Sequence, residues 1–270
     1  MDSPVMQLRA LRDNEFAIQV SGDGIPLIWG HCLLGCMEAD DAAAILDFAQ
    51  LSRRARLIRF DARGHGESSG SDNPRDYRWD KQAEDVWAIA ELYAPGEKVI
   101  LGGASMGSAT ALHAAIKHPE KVAGLILVLP PTGWRTRPRQ AVLYRRLAGV
   151  IGWLSAASKL ALNLLRLDPH GKPLRRALTL AVSEHISQAH PPWLRAALLG
   201  AAQSDLPDLR ELQRLEIPTA ILTWEDDSAH PVSTAATLQS VLPDVRVYQV
   251  SSTADAGNWT AYIEDMLRGL

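Results

Sequence analysis

Short apolar runs rich in Val, Ile and Leu alternate along this chain with longer stretches of helical period, and that alternation restricts the fold more than any other feature. The clearest strand candidates are 25–29, 55–60, 98–102, 122–129, 219–224 and 245–250; helices are expected over 41–53, 78–92, 105–117, 231–241 and 259–267. Near-continuous apolarity suits strands covered on both faces. The expected architecture is therefore α/β, a mainly parallel central sheet with helices on both faces, preceded by a hairpin near 15–20. Between Pro130 and Leu215 the strand signal vanishes and helical segments such as 141–167 and 192–202 follow one another. This predicts a core built from 1–130 and 216–270, interrupted by a helical cap, or lid, at 131–215.

The chain has 270 residues, of which 47% are hydrophobic, enough to bury a sizeable core. A net charge of -3 gives no global pull toward nucleic acid or an anionic membrane. The first ten residues lack a basic start followed by an apolar run, so a cytoplasmic location is expected. The longest apolar stretch, 147–165, is broken by Lys159 and Asn163 and flanked by arginines, which argues against a membrane span. Cys32 and Cys36 are too few for a disulfide framework, and no second Cys or His pair stands at zinc-binding spacing. Both are read as reduced, buried thiols, and no cofactor or metal is expected.

Gly103, Ala104, Ser105, Met106 and Gly107 follow the strand at 98–102 and open an alanine-rich helix. A serine projected from a strained strand-to-helix turn needs small neighbours two residues away on either side, which is what GxSxG supplies. The alternative is a tight structural turn. Two further segments extend the pattern: His31, Cys32, Leu33, Leu34 and Gly35 after one strand, and Asp61, Ala62, Arg63, Gly64, His65, Gly66, Glu67 and Ser68 after the next.

Together these resemble the α/β-hydrolase family, with its HGxxG loop, DxRGxGxS turn and nucleophile elbow. The likeness implies Ser105 as nucleophile, with the backbone amides of Leu33 and Met106 as oxyanion hole. Cys32 stands where the family has glycine. The resemblance makes the His65 segment a structural loop rather than a source of catalytic base. The run 224–231 resembles the family's GxxDxxxP loop, which implies Asp227 as acid and puts Trp224 in place of the family's glycine; helix capping is the plainer reading of Asp227.

The family's order is Ser, acid, His, with the histidine shortly beyond the last strand. Here the run 251–259 contains none. Asp255 falls nearest that position, with Asn258 as the other candidate, and an exposed aspartate with a pKa of about 4 is a poor base for a hydroxyl. His230 is a possible substitute base. His113 is expected to face away from the pocket, and His185 and His190 to be solvated.

The insertion carries Arg135, Arg137, Arg139, Arg145, Arg146, Lys159, Arg166, Lys172, Arg175 and Arg176 against Asp168 alone between Trp134 and Arg176. It reads either as the solvent face of an amphipathic lid or as a positive field that would attract an anionic substrate. The sequence thus points to a cofactor-independent serine hydrolase acting on an ester, lactone or thioester with an apolar small-molecule substrate. Its alternatives are a non-hydrolytic acid/base enzyme using Asp255, and a silent ligand-binding protein on the same fold.

Overall fold

A computed structural model describes residues 5–153, 190–251 and 258–270. Its strands are β1 (Gln7–Leu11), β2 (Asn14–Ser21), β3 (Pro26–Gly30), β4 (Arg56–Phe60), β5 (Val99–Ala104), β6 (Val122–Val128), β7 (Thr219–Trp224) and β8 (Val245–Val250). They form an eight-stranded sheet in the order β1-β2-β4-β3-β5-β6-β7-β8. The pairs β1/β2 and β2/β4 are antiparallel and the rest parallel. Every residue of β3 and β7 is buried, as a central parallel strand requires. The edge strand β1 is mostly exposed.

Side chains alternate across the sheet with period two, so neighbours in one strand enter different cores. Ile28, Ile58, Leu101, Leu125 and Ile221 pack on one face; Leu27, Leu57, Ile100, Ile126 and Leu222 pack on the other. The first face is covered by α3 (Trp79–Tyr93) and α4 (Met106–Lys117). The second is covered by Phe48 and Leu51 of α2 (Phe48–Leu51) and by Trp259 and Ile263 of the C-terminal helix. Each such buried side chain stabilises by roughly 1.5–3 kcal/mol.

One helix expected over 41–53 is in fact two, α1 (Met37–Ala43) and α2. Ala44 turns left-handed at φ 49°, ending α1, and the Asp47 carboxylate accepts from Gln50 N at 2.8 Å, starting α2. A side-chain cap thus divides a run whose periodicity alone reads as continuous.

Between β6 and β7 the described chain is helical: α5 (Arg137–Trp153), α6 (Pro191–Ala202) and α7 (Leu209–Leu212). Two more helices, α8 (Val232–Val241) and α9 (Trp259–Arg268), flank β8. Among the described residues, no helix is long and apolar enough to cross a membrane.

Candidate active site

β5 ends at Ala104 and α4 begins at Met106, which leaves Ser105 at the turn with φ 52° and ψ -107°. Positive φ is costly for a serine, and the surroundings hold it there. Ser105 N donates to Val128 O of β6 at 2.9 Å, and Gly107 N donates to His31 O at 3.1 Å. The two glycines of the motif are demanded by contact. A Cβ on Gly107 would stand 2.0 Å from Gly30 O, and one on Gly103 would stand 2.5 Å from the same oxygen. The start of α4 crosses the end of β3 with no room for a methyl group.

Asp227 lies in the loop that follows β7, and its carboxylate is fully engaged. Oδ1 accepts from Ala229 N at 2.8 Å and His230 N at 3.3 Å; Oδ2 accepts from His230 Nδ1 at 2.8 Å and Trp224 Nε1 at 3.0 Å. Burial works to raise its pKa, but the hydrogen bond from His230, with the indole and Ala229 donors, outweighs burial and holds the carboxyl well below the usual carboxylate range. An ionised Asp227 can only accept, so Nδ1 of His230 carries the proton and Nε2 presents its lone pair. That Nε2 stands 2.8 Å from Ser105 Oγ. A neutral imidazole so placed can take a proton from the hydroxyl as it attacks.

The imidazole that reaches Ser105 therefore stands three residues beyond Asp227, not beyond β8, where the family places it. Asp255 lies outside the described residues. Trp224 is the partner that sequence reasoning missed; its replacement of the family's glycine was the one available signal.

His31 and His65 are both buried in the loops behind the elbow. His31 Nδ1 donates to Cys32 O at 2.7 Å while Nε2 accepts from Ala62 N at 2.8 Å, tying the HGxxG-like loop to the DxRGxGxS turn. Burial lowers its pKa to about 4 and that of His65, whose Nδ1 donates to Arg63 O, to about 3. Both rings are thus neutral fixtures of the loops. Within the turn, Asp61 accepts from Met37 N at 2.7 Å and Glu67 N at 3.0 Å, and Ser68 Oγ donates to Asp61 O.

Met106 N is the first amide of α4 and has no partner within the helix, as an oxyanion donor must. Leu33 sits in a turn closed by Gly35 N donating to Cys32 O at 2.9 Å. Cys32 and Cys36 are buried free thiols. Burial raises the Cys36 pKa to about 12 and the Cys32 pKa further, so neither supplies a thiolate near neutrality. His113 Nε2 bonds to Asp205 O at 2.9 Å, tying α4 to the segment after α6, and exposed His190 packs on Trp193. His185 lies outside the described residues.

Arg135, Arg139, Arg145 and Arg146 are exposed. Arg137 corrects the expectation of a wholly solvated set: it is 3% exposed, donates to Ser204 O and Ala201 O at the C-terminal end of α6, and lies over the Trp79 ring at 4.2 Å. The negative end of the α6 dipole and an aromatic face stabilise this buried cation. Lys159, Arg166, Lys172, Arg175 and Arg176 lie outside the described residues. Among the described residues, no group of three or more His, Cys, Asp or Glu side chains could hold a metal ion.

Residues 25–262 match the family described as alpha/beta hydrolase fold. The chain is 28% identical over 206 residues to the pimeloyl-(acyl-carrier protein) methyl ester esterase of Aromatoleum aromaticum, covering 68% of this chain and 80% of that one. It is 39% identical over 103 residues to the mitochondrial palmitoyl-protein thioesterase of Homo sapiens, covering 38% and 32% of the two. In three dimensions it is similar to a thermophilic esterase from Thermogutta terrifontis, with a TM-score of 0.76, 22% identity and 99% of each chain covered. With a matched region that spans most of its length and the sheet order described above, this chain belongs to the alpha/beta hydrolase family.

Proposed function

We propose that the chain is a cofactor-independent serine hydrolase that cleaves an ester, lactone or thioester, with Ser105 as nucleophile, His230 as general base and Asp227 as the acid that orients it. The observation that carries this reading is the continuous chain from Ser105 Oγ to His230 Nε2 and from His230 Nδ1 to Asp227 Oδ2, each link 2.8 Å. Ser105 Oγ attacks the carbonyl carbon while its proton passes to His230 Nε2. The oxyanion is received by the amides of Met106 and Leu33. His230 then gives the proton to the departing alcohol or thiol, leaving an acyl-serine. Water, deprotonated by the same imidazole, attacks the acyl carbon and frees the acid and Ser105.

In this reading the base is His230, the possible substitute named from the sequence, rather than Asp255, because its Nε2 stands within hydrogen-bond reach of Ser105 Oγ. An imidazole 2.8 Å from Ser105 Oγ supports this hydrolytic reading over the non-hydrolytic enzyme built on Asp255 and over the silent binding protein. Residues 131–215 are proposed as the cap. Arg137, holding the start of α5 to the end of α6, and Thr132 N, donating to Ala229 O at 3.0 Å beside His230, support its attachment at the mouth of the site. The exposed arginines would favour a substrate that combines an apolar acyl part with negative charge.

A fluorophosphonate probe tests the proposal. Labelling at Ser105, lost in Ser105→Ala and strongly slowed in His230→Ala, is the expected result; absence of labelling in the folded wild type would overturn it.

A further inference from the structure

Trp224 closes β7 with its side chain 6% exposed and its indole stacked on that of Trp259, at 5.6 Å between centroids and 19° between planes. From that seat Nε1 donates to Asp227 Oδ2, the oxygen that also receives His230 Nδ1. The two donors to Oδ1 are amides of the same loop, at Ala229 and His230, and move with it. The indole is anchored instead to the sheet and to a helix on its far side.

In this chain acid and base sit three residues apart on one loop, so the aim of the imidazole depends on how that loop is held against the body. We infer that Trp224 is a positioning residue: its indole N–H pins Asp227 Oδ2 to the end of β7, so that His230 is held in its Nδ1–H tautomer with Nε2 on Ser105. A glycine at this position, as the family has, carries no donor. Hydrogen bonds to an ionised acceptor are roughly twice as strong as neutral ones, and the directional N–H of a packed indole loses little freedom on forming one. The inference rests on the proposed roles of Ser105, His230 and Asp227.

Trp259 supplies a matched control, because its Nε1 has no hydrogen-bond partner among the described residues. Trp224→Phe and Trp259→Phe each reduce the same stack by one ring, but only the first removes a donor from Asp227. With p-nitrophenyl butyrate as substrate, Trp224→Phe should lower kcat by about tenfold with KM unchanged, since a bond to a charged group is lost without loss of substrate contact. Trp259→Phe should keep kcat near the wild-type value. Should Trp224→Phe not fold, 3-benzothienylalanine at position 224 preserves the bicyclic stack, replaces N–H by sulfur, and should give the same tenfold loss. Equal kcat losses in the two Phe variants, or wild-type kcat without the indole N–H, would overturn the role of Trp224. Wild-type protein that takes no fluorophosphonate at Ser105 would instead overturn the parent reading, and this one with it.

Discussion

His230 Nε2 and Ser105 Oγ stand 2.8 Å apart although 125 residues separate them in the chain. They meet because β5, which leads into the elbow, and β7, which leads into the acid loop, are separated by β6 alone and all three run parallel. Their C-terminal ends therefore open on the same rim of the sheet, where α/β folds place ligands.

The roles of the three groups can be separated by kinetics on an activated ester. His230→Ala should lower kcat by about 10² to 10⁴-fold, the usual worth of a general base. Asp227→Asn should also reduce kcat steeply, by up to about 10⁴-fold, because an amide no longer enforces the Nδ1–H tautomer. Full kcat in His230→Ala would place the base elsewhere.

Asp255 offers a complementary test. With His230 as base, adding an imidazole by Asp255→His in the wild-type background should leave esterase turnover nearly unchanged. A rise of the size a restored base gives, about 10²-fold or more, would mean that His230 does not serve.

The elbow should be intolerant of one methyl group. In Gly107→Ala the new Cβ would meet Gly30 O at 2.0 Å, a backbone atom that cannot swing aside. A destabilisation of about 3 kcal/mol or more is expected in urea unfolding, at the upper end for overpacking. An unchanged midpoint would mean that α4 can slide on β3 without penalty.

Asp40 should make stability fall as pH rises. It is buried, accepts from Trp29 Nε1 at 3.1 Å, and burial raises its pKa to about 7 against the opposing pull of Arg59, with Asp41 and Asp61 adding to the rise. A raised carboxyl holds its proton in the folded state where the unfolded chain, at about 3.9, has lost it. The stabilisation is complete below pH 4 and lost as pH climbs through 7. Asp40→Asn keeps an acceptor for Trp29 and cannot ionise. Its thermal midpoint relative to wild type should therefore improve between pH 5 and pH 8; a constant difference would count against the shift.

An ester carrying a carboxylate should bind less tightly as salt rises, if the exposed Arg135, Arg139, Arg145 and Arg146 draw it in. Screening acts over about 10 Å at 0.1 M. KM for that ester should climb with sodium chloride while KM for a neutral ester of equal length stays level. Parallel behaviour of the two would leave the arginines as a solvated face.

Much of this was legible in the residues alone. Strands 219–224 and 245–250 coincide with β7 and β8, and the strained turn at Ser105 was expected from GxSxG, because local patterning and steric need are written over a few adjacent residues. The division of 41–53 into α1 and α2 was not, since it depends on a left-handed Ala44 that periodicity does not signal. The Arg-rich segment likewise looked uniform, and only packing separates buried Arg137 from its exposed neighbours.

The sequence by itself determined the alternating α/β order, the elbow and the loop that bears Asp227, each carried by residues close together in the chain. Tertiary structure alone decided which histidine faces Ser105. His230 reads as the residue before a proline in a polar loop, and nothing local says that its ring turns toward a hydroxyl on β5's far end. That follows from parallel pairing of β5, β6 and β7, which brings distant loops onto one rim, where Asp227 Oδ2 accepts from both Trp224 Nε1 and His230 Nδ1. Long-range proximity of this kind comes from the registration of whole strands, and no window of sequence contains it.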